Sequence, residues 1–220
     1  MTDDNYTGVT TGTIATACSL AALDAILDFE DIACVQVETP KKTLDIIIDE
    51  YKKLSSFKAY AVAHKNPYND PDVTVDLAIV STVELFDRTD EESNVIITGG
   101  EGVGKITKPG LQVPVGDYAI NPVPRSMIVK NLSDKIPEGK VAKVTISIPE
   151  GEKIAKKTMN PKLGIVGGIS VLGTTGIARS MSSDAYKNSI VTQLDVALAS
   201  NITDLVFVPG NIGEKLESLL

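Results

Sequence analysis

Hydrophobic and polar residues alternate along several short stretches of the chain that have the length of β-strands. Strand-like runs lie at residues 33–38, 44–52, 57–63, 73–85 and 94–98. Another, V-A-K-V-T-I-S-I, covers residues 141–148. Alternation of this kind turns one side of a strand towards the core and the other towards solvent. These runs therefore predict half-buried strands.

Other stretches have the composition of helices. Residues 11–28, T-G-T-I-A-T-A-C-S-L-A-A-L-D-A-I-L-D, are rich in Ala and Leu, and Thr10, Thr11 or Thr13 is available to cap them. The prolines of N-P-V-P-R-S-M fit the first turn of a second helix. A short helix is predicted near residues 152–157.

The pattern changes after residue 162. The run L-G-I-V-G-G-I-S-V-L-G-T-T-G is followed by a predicted helix at 183–200, a strand at 204–209, a G-N-I-G loop and a final helical run. Strand, glycine turn and helix in this order are typical of α/β proteins. We therefore predict an α+β domain with a basic centre at residues 1–161 and the start of an α/β domain at 162–220. One such unit cannot cover a parallel sheet, so this second domain is expected to be incomplete at its C-terminus, and a homo-oligomer would be one source of cover.

Composition excludes several functional classes. The chain has 220 residues, 43% of them hydrophobic, and no apolar run approaches the length of a membrane span. The N-terminus M-T-D-D-N-Y lacks the features of a secretory signal, which predicts a cytoplasmic protein with no membrane partner. Cys18 and Cys34 are expected to be reduced and buried. His64 is the only histidine, so we expect no protein metal site and no Ser-His-Asp triad.

Charge is distributed unevenly along the chain. Residues 1–104 carry 19 acidic and 7 basic side chains, whereas residues 105–162 carry 5 acidic and 11 basic ones. The middle segment can therefore attract an anionic ligand, although the lysines can equally well serve only to solvate a surface. With three arginines in an otherwise acidic chain, nucleic acid is not an expected partner.

The stretch N-V-I-I-T-G-G-E-G-V-G-K-I-T-K-P is close to a P-loop. Gly99, Gly104 and Lys105 fit the pattern, but Ile106 stands where a hydroxyl is required. Pro109, Gly110 and Pro114 would interrupt the helix that a P-loop needs, which excludes a kinase or ATPase reading. Two alternatives remain, a wide turn between strands and a binding loop formed by Gly100, Gly102 and Gly104 with Lys105 and Lys108 beside it.

Two further loops offer polar groups for a ligand. G-V-T-T-G-T, with Thr10, Thr11, Gly12 and Thr13, can present N–H groups to an anion at a helix start or form a plain N-cap. G-I-S-V-L-G-T-T-G, with Gly168, Thr174 and Thr175, suits a carboxylate, a ribose or a phosphate, or else tight strand packing.

Charged candidates complete the set. N-D-P-D-V-T places Asp70 close to Asp72, as a base, a cation ligand or simply a turn before a strand. In N-P-V-P-R, Arg125 is either a carboxylate clamp or part of a structural ion pair.

Taken together, these motifs resemble the cobalt-precorrin-5B C1-methyltransferase family of anaerobic cobalamin biosynthesis. The matching segments are G-V-T-T-G-T, D-P-D-V-T, G-G-E-G-V-G-K-I-T-K-P-G-L, A-I-N-P-V-P-R, K-K-T-M-N-P-K-L-G-I-V-G-G-I-S-V-L-G-T-T-G and P-G-N-I-G. They occur in the family's order. Members of the family tend to have a lysine-aspartate-glycine stretch before D-P-D-V-T, where this chain has His64-K-N-P-Y-N, and they continue beyond P-G-N-x-G, which indicates a truncated or naturally short form.

The resemblance implies S-adenosylmethionine as methyl donor and a polycarboxylate, cobalt-containing corrinoid as acceptor, with cobalt only within the substrate. It also implies an α+β domain followed by an α/β domain. The acceptor's carboxylates would suit Lys105, Lys108 and Arg125, and Asn121 lies in the matching A-I-N-P-V-P-R segment. Asp70 or Asp72 is the candidate proton acceptor. The alternative function is a non-catalytic corrinoid carrier or assembly protein.

Overall fold

The computed structural model describes residues 7–68, 72–89, 93–179 and 183–208. Within these ranges the chain forms four α-helices and a 3₁₀ turn at Ser133–Lys135. The helices are α1 (Thr11–Ile26), α2 (Pro122–Leu132), α3 (Gly151–Ala155) and α4 (Ser183–Ala199). The strands are β1 (Thr7–Val9), β2 (Cys34–Glu38), β3 (Thr43–Ile47), β4 (Glu50–Ser55), β5 (Lys58–His64), β6 (Ala78–Asp87), β7 (Val95–Gly99), β8 (Gly102–Val103), β9 (Lys105–Ile106), β10 (Lys140–Ser147), β11 (Ile165–Val166), β12 (Gly168–Ile169) and β13 (Ile177–Arg179). The fold is therefore a mixed α/β fold.

A five-stranded sheet in the order β4-β5-β6-β10-β7 forms the centre of the molecule. Its strands pair antiparallel except for β10 with β7, which run parallel. Every second residue of β5 is buried, among them Ala59, Ala61 and Ala63, and β6 alternates in the same way. These small side chains let a helix pack closely on this face of the sheet.

Helix α1 is that helix, and all of its residues are buried. It packs against β5, β6 and α2. A helix that is apolar around its whole circumference is stable only in a core, which explains its Ala-rich sequence. Its few polar side chains are satisfied internally, since the hydroxyl of Ser19 lies 2.8 Å from that of Ser81 and Thr16 donates to the carbonyl of Gly12 at 2.8 Å.

Most predicted elements are confirmed, with three corrections before residue 100. The run at 44–52 is two strands of different sheets, β3 and β4, because the chain passes from one sheet to the other at Ile48 and Asp49. The run at 73–85 begins as a turn, in which Asp76 adopts φ 62°, and becomes a strand at Ala78. Cys34 is exposed, whereas Cys18 is buried as predicted.

Three short strand pairs join the residues after Pro161 to those before it. β12 pairs in parallel with β8, and β11 and β13 pair antiparallel with β9 and β1. The glycine-rich stretch up to Arg179 is thus hydrogen-bonded to the part of the chain assigned to the first domain. The boundary at Pro161, the two-domain description and the incompleteness of the second domain stay predictions.

The last described residues differ in part from expectation. Helix α4 matches the helix predicted for residues 183–200. The strand predicted from residue 204 onward is wrong for residues 204–208, which have no regular structure. A strand requires a hydrogen-bonding neighbour, and no described strand lies beside these residues. The final predicted helix lies outside the described residues.

Candidate functional site

The first turn of α1 is built into the loop that precedes β13. The backbone N–H of Gly12 donates to the carbonyl of Leu172 at 3.0 Å, and the hydroxyl of Thr13 donates to the carbonyl of Gly176 at 2.7 Å. Thr11 both donates to and accepts from the backbone of Leu172. Two motifs that are about 160 residues apart in the sequence, T-T-G-T and G-T-T-G, therefore form one local structure.

These contacts use the donors that an anion would need. Thr10 is the N-cap, and its side chain accepts from the N–H of Thr13. The N–H of Thr10 donates to Gly176, and that of Gly12 to Leu172. The geometry is that of the N-cap alternative, and a ligand-binding role for Thr10, Thr11, Gly12 and Thr13 stays a prediction.

Thr174 and Thr175 lie in the same loop and are exposed. The hydroxyl of Thr175 accepts from the N–H of Ile177 at 3.3 Å, which makes a local turn. Thr174 is exposed, and its hydroxyl makes no hydrogen bond with the described residues. Their binding role also stays a prediction.

Helix α2 begins beside the same loop. The N–H of Asn121 donates to the carbonyl of Val171 at 3.0 Å, while the Asn121 side chain makes no capping hydrogen bond. Pro122 and Pro124 have no N–H, so the start of α2 is poor in donors for an anion. A Cβ atom on Gly12 would lie 2.7 Å from the ring of Pro124, which shows how closely the two helix starts approach each other.

Two glycines of the near P-loop, Gly102 and Gly104, pack closely against backbone. A Cβ on Gly102, at φ 69°, would collide with the carbonyl oxygen of Ile148, and one on Gly104 would lie 2.8 Å from the carbonyl oxygen of Gly168. The N–H groups of Gly100 and Gly104 donate to Ile146 and Ile169. The loop is followed by β9 and a turn, not by a helix. This order of elements confirms that it is not a P-loop. Gly100, Gly102 and Gly104 lie in a turn between strands and Gly168 packs tightly against Gly102, whereas a ligand-binding role for these four glycines stays a prediction.

Lys105 and Lys108 are exposed at the end of this loop. The ammonium of Lys105 lies 4.8 Å from the centroid of the Tyr118 ring, and that of Lys108 lies 3.3 Å from the carbonyl oxygen of Lys162. Neither ammonium forms a salt bridge with a described carboxylate. Both lysines are thus available to an anion.

Arg125 is held by backbone carbonyls. Its Nε donates to Ile120 at 2.9 Å and its Nη1 donates to Ile97, in the edge strand β7, at 3.2 Å. Neither contact is an ion pair, and part of the guanidinium is committed to the fold. The carboxylate clamp stays a prediction that rests on the remaining N–H groups.

Asp72 lies in a partly buried ionic cluster. Its carboxylate pairs with the ammonium of Lys65, whose side chain is 3% exposed, and accepts from the hydroxyl of Tyr68 at 2.9 Å. Burial alone would raise the pKa of Asp72, but hydrogen bonds from Lys65 and Thr74 lower it to about 2. Such a carboxylate is a weak base at neutral pH. Asp70 lies outside the described residues.

The structure thus brings four of the five motif regions together. The T-T-G-T segment contacts both N-P-V-P-R and G-T-T-G, the G-V-G-K loop pairs with Gly168 and Ile169, and Asp72 is linked to them less directly. The ring of Tyr68 packs on Gly8 in β1, the strand that directly precedes α1 in the chain. The sequence reading missed Lys65, Tyr68 and Tyr118. No spacing pattern in the sequence could have identified Tyr118, because Gly99 and Lys105 come close to its ring only in the folded chain.

Two features of other protein classes are missing from the described part of the chain. Among those residues no group of three His, Cys, Asp or Glu side chains is arranged to hold a metal ion. None of the helices described there is long and apolar enough to cross a membrane.

Comparisons with known proteins agree on one family. A protein of Methanobrevibacter smithii named cobalt-precorrin-5B C(1)-methyltransferase is 81% identical over 216 residues, covering 98% of this chain and 60% of the relative. A protein of the same name from Methanosphaera stadtmanae is 53% identical and is covered to 54% of its length. The chain therefore spans little more than half the length of the curated relatives that it matches.

A solved structure is also similar. The crystal structure of a cobalamin biosynthesis protein (cbiD) from Archaeoglobus fulgidus superposes with a TM-score of 0.58 at 29% identity, covering 87% of this chain and 59% of that one. Residues 2–180 match the family described as CbiD. The chain belongs to the CbiD family.

Proposed function

We propose that this protein acts in the methylation of C1 of cobalt-precorrin-5B, with S-adenosylmethionine as the methyl donor, in cobalamin biosynthesis. The observation that carries the proposal is the 81% identity to the Methanobrevibacter smithii protein named for that reaction, which extends over nearly the whole chain. The mixed basic and glycine-rich region that the fold assembles from four motifs supports it.

The described residues fit the acceptor better than the donor. The exposed ammonium groups of Lys105 and Lys108 match the carboxylates of a corrinoid acid. The N–H groups of Gly100, Gly104 and Gly12 are engaged with backbone carbonyls, so they do not form a cradle for S-adenosylmethionine. We therefore assign no donor contact to these loops.

The chemistry requires little from side chains. S-adenosylmethionine supplies an electrophilic methyl group on a sulfonium, and its displacement by a carbon of the acceptor needs no protein nucleophile. Orienting the acceptor is the contribution that binding groups can make, and alignment of this kind is worth about 7–11 kcal/mol in favourable cases. A chain that offers exposed lysines beside a glycine-rich loop suits this role.

A proton released by the acceptor on methylation needs a base other than Asp72. With a pKa of about 2 and its oxygens occupied by Lys65, Tyr68 and Thr74, Asp72 has little tendency to take a proton. We propose that Asp72 organises the loop before β6, and that the proton passes to water or to a group outside the described residues.

A methyl-transfer assay tests the proposal. The chain is incubated with cobalt-precorrin-5B and S-adenosylmethionine carrying a labelled methyl group, with the longer Methanobrevibacter smithii relative as positive control. We expect label on the corrinoid, and heat on titration with S-adenosylhomocysteine. If the relative labels the acceptor and this chain binds the corrinoid without labelling it, the non-catalytic carrier replaces the methyltransferase as the function of this chain.

A further inference from the structure

Three side chains stand side by side on one face of the small sheet next to the glycine loop. Lys105 in β9 is directly opposite Val166 in β11 and forms a bridge with Tyr118 on its other side. Residues directly opposite in antiparallel strands project to the same face. Their neighbours Ile106 and Ile165 point the other way, into a small apolar cluster.

Tyr118 is fixed between a glycine and a lysine. A Cβ atom on Gly99 would lie 2.8 Å from the Cβ of Tyr118 and still closer to its ring, so the absence of a side chain at Gly99 makes room for the ring. The ammonium of Lys105 lies 4.8 Å from the ring centroid. Gly99, the first glycine of the near P-loop, therefore leaves space for the Tyr118 ring. The ring in turn holds the ammonium of Lys105 in place.

The lysine so fixed has no acidic partner in the described structure. Lys65, Lys135 and Lys140 each form a salt bridge, whereas no described carboxylate lies within 4.0 Å of the Lys105 ammonium. An aromatic face attracts the ammonium without neutralising its charge, which leaves N–H groups free to donate outward. Lys108, three residues away, is likewise exposed and unpaired with acid among the described residues.

We infer that Tyr118 is a positioning residue that holds Lys105 for a carboxylate arm of the corrinoid acceptor. The inference rests on the proposed function, and it adds the residue that orients the cation and the group that the cation binds. A phosphate fits less well, because the surrounding glycine N–H groups are engaged with backbone carbonyls and cannot form the anion nest that a phosphate would use.

The test uses two corrinoids of similar shape and different charge, each in its dicyano form. Cobyrinic acid carries free carboxylates, whereas the same side chains are amides in cobinamide. Affinities are measured by calorimetry at low and high salt for the chain and for Lys105→Gln, Tyr118→Leu, Tyr118→Phe and the double variant Lys105→Gln/Tyr118→Leu. Lys143→Gln, at an exposed lysine of β10, is the matched control.

We expect the wild-type chain to prefer cobyrinic acid. Lys105→Gln lowers that affinity by about fivefold, as for one partly exposed ion pair, and flattens its salt dependence. Tyr118→Leu lowers it by about threefold, as for loss of one exposed cation–π contact. Tyr118→Phe keeps the ring and binds as the wild type does. The double variant loses no more than Lys105→Gln alone, because Tyr118 acts through the lysine.

Each other outcome decides a different point. If the wild-type chain binds neither corrinoid, the proposed function fails together with the inference. If it binds cobyrinic acid and Lys105→Gln has the same affinity for that ligand as Lys143→Gln, the inference alone is overturned. This outcome does not depend on whether Tyr118→Leu folds. If the losses of Lys105→Gln and Tyr118→Leu multiply in the double variant, Tyr118 does not act through Lys105, and its role as a positioning residue is overturned.

Discussion

Oδ1 of Asp72 accepts two hydrogen bonds from Thr74, one from the backbone N–H at 2.8 Å and one from the hydroxyl at 2.6 Å. Oδ2 accepts from Tyr68 and pairs with the ammonium of Lys65. Lys65 also donates to the Thr74 hydroxyl at 2.8 Å, so its buried ammonium has a counter-charge in Asp72 and a second hydrogen-bond acceptor in Thr74. The carboxylate thus connects the end of β5 to the turn that leads into β6.

Removing the charge of Asp72 should strongly destabilise the fold. Asp72→Asn leaves the Lys65 ammonium, 3% exposed, without a counter-charge, and we expect the free energy of unfolding to fall by about 3–5 kcal/mol. Urea unfolding followed by circular dichroism measures the change. Asp87→Asn, which removes an exposed partner of Lys140, is the control and should leave stability unchanged within error. Equal losses for the two variants would show that the Asp72 carboxylate is not coupled to the buried Lys65 ammonium.

The same cluster predicts a pH dependence. Because the folded-state pKa of Asp72 is about 2, below the unfolded value near 3.8, its contribution to stability is present above pH 4 and is lost as the pH falls through 2. The size of this shift corresponds to a contribution of about 1–2 kcal/mol once the partial exposure of the carboxylate to solvent is allowed for. Unfolding free energies between pH 5 and 2 should therefore fall more steeply for the wild type than for Asp72→Asn. Parallel curves would show that Asp72 is not the titrating group.

Local pattern predicted the elements well, because the physical causes were local. The alternation in residues 57–63 follows from a strand with one buried face, and the Ala-rich composition of residues 11–28 follows from a helix that is buried all round. The failures have non-local causes. Residues 44–52 divide between two sheets, and residues 204–208 have strand composition without a neighbouring strand in the described structure.

The site was predicted only in part, for a similar reason. Glycine spacing identified loops that do meet in three dimensions, but it could not distinguish a glycine that faces a ligand from one that faces a carbonyl. Gly102 faces Ile148, and Gly99 faces Tyr118. The resemblance of the whole motif set to one family carried more information than any single loop, since it did not depend on that distinction.

Arg125 should contribute to stability through its two carbonyl contacts. Arg125→Ala removes charged donors from Ile120 and from Ile97 at the sheet edge, and we expect a loss of about 2 kcal/mol in the free energy of unfolding. Arg125→Lys should recover less than half of the loss, because one ammonium cannot reproduce the planar fork. Both are measured by urea unfolding.

Binding of cobyrinic acid by the same variants separates this role from the carboxylate clamp. A variant that keeps its stability but loses affinity would show that the guanidinium acts on the ligand rather than on the carbonyls. Ser126→Ala, at the exposed neighbour on α2, provides the baseline for both measurements.

Gly102 should be the least replaceable residue of the near P-loop. Gly102→Ala combines a left-handed backbone, φ 69°, with a Cβ that would collide with the carbonyl oxygen of Ile148 and lie 3.1 Å from the N–H nitrogen of Gly151. Neither neighbour is a flexible side-chain end, so β8 must separate from the turn before α3. We expect a loss of more than about 3 kcal/mol in the free energy of unfolding, from overpacking and backbone strain together.

Gly139→Ala isolates the backbone part of that loss. Gly139 has φ 75° but open space where a Cβ would stand, so its replacement should cost only the left-handed strain of about 1–2 kcal/mol. The difference between the two variants, measured by urea unfolding, reports the close approach of β8 to Ile148. Equal losses would mean that the loop relaxes to admit a side chain, and the need for glycine at position 102 would then rest on its backbone conformation alone.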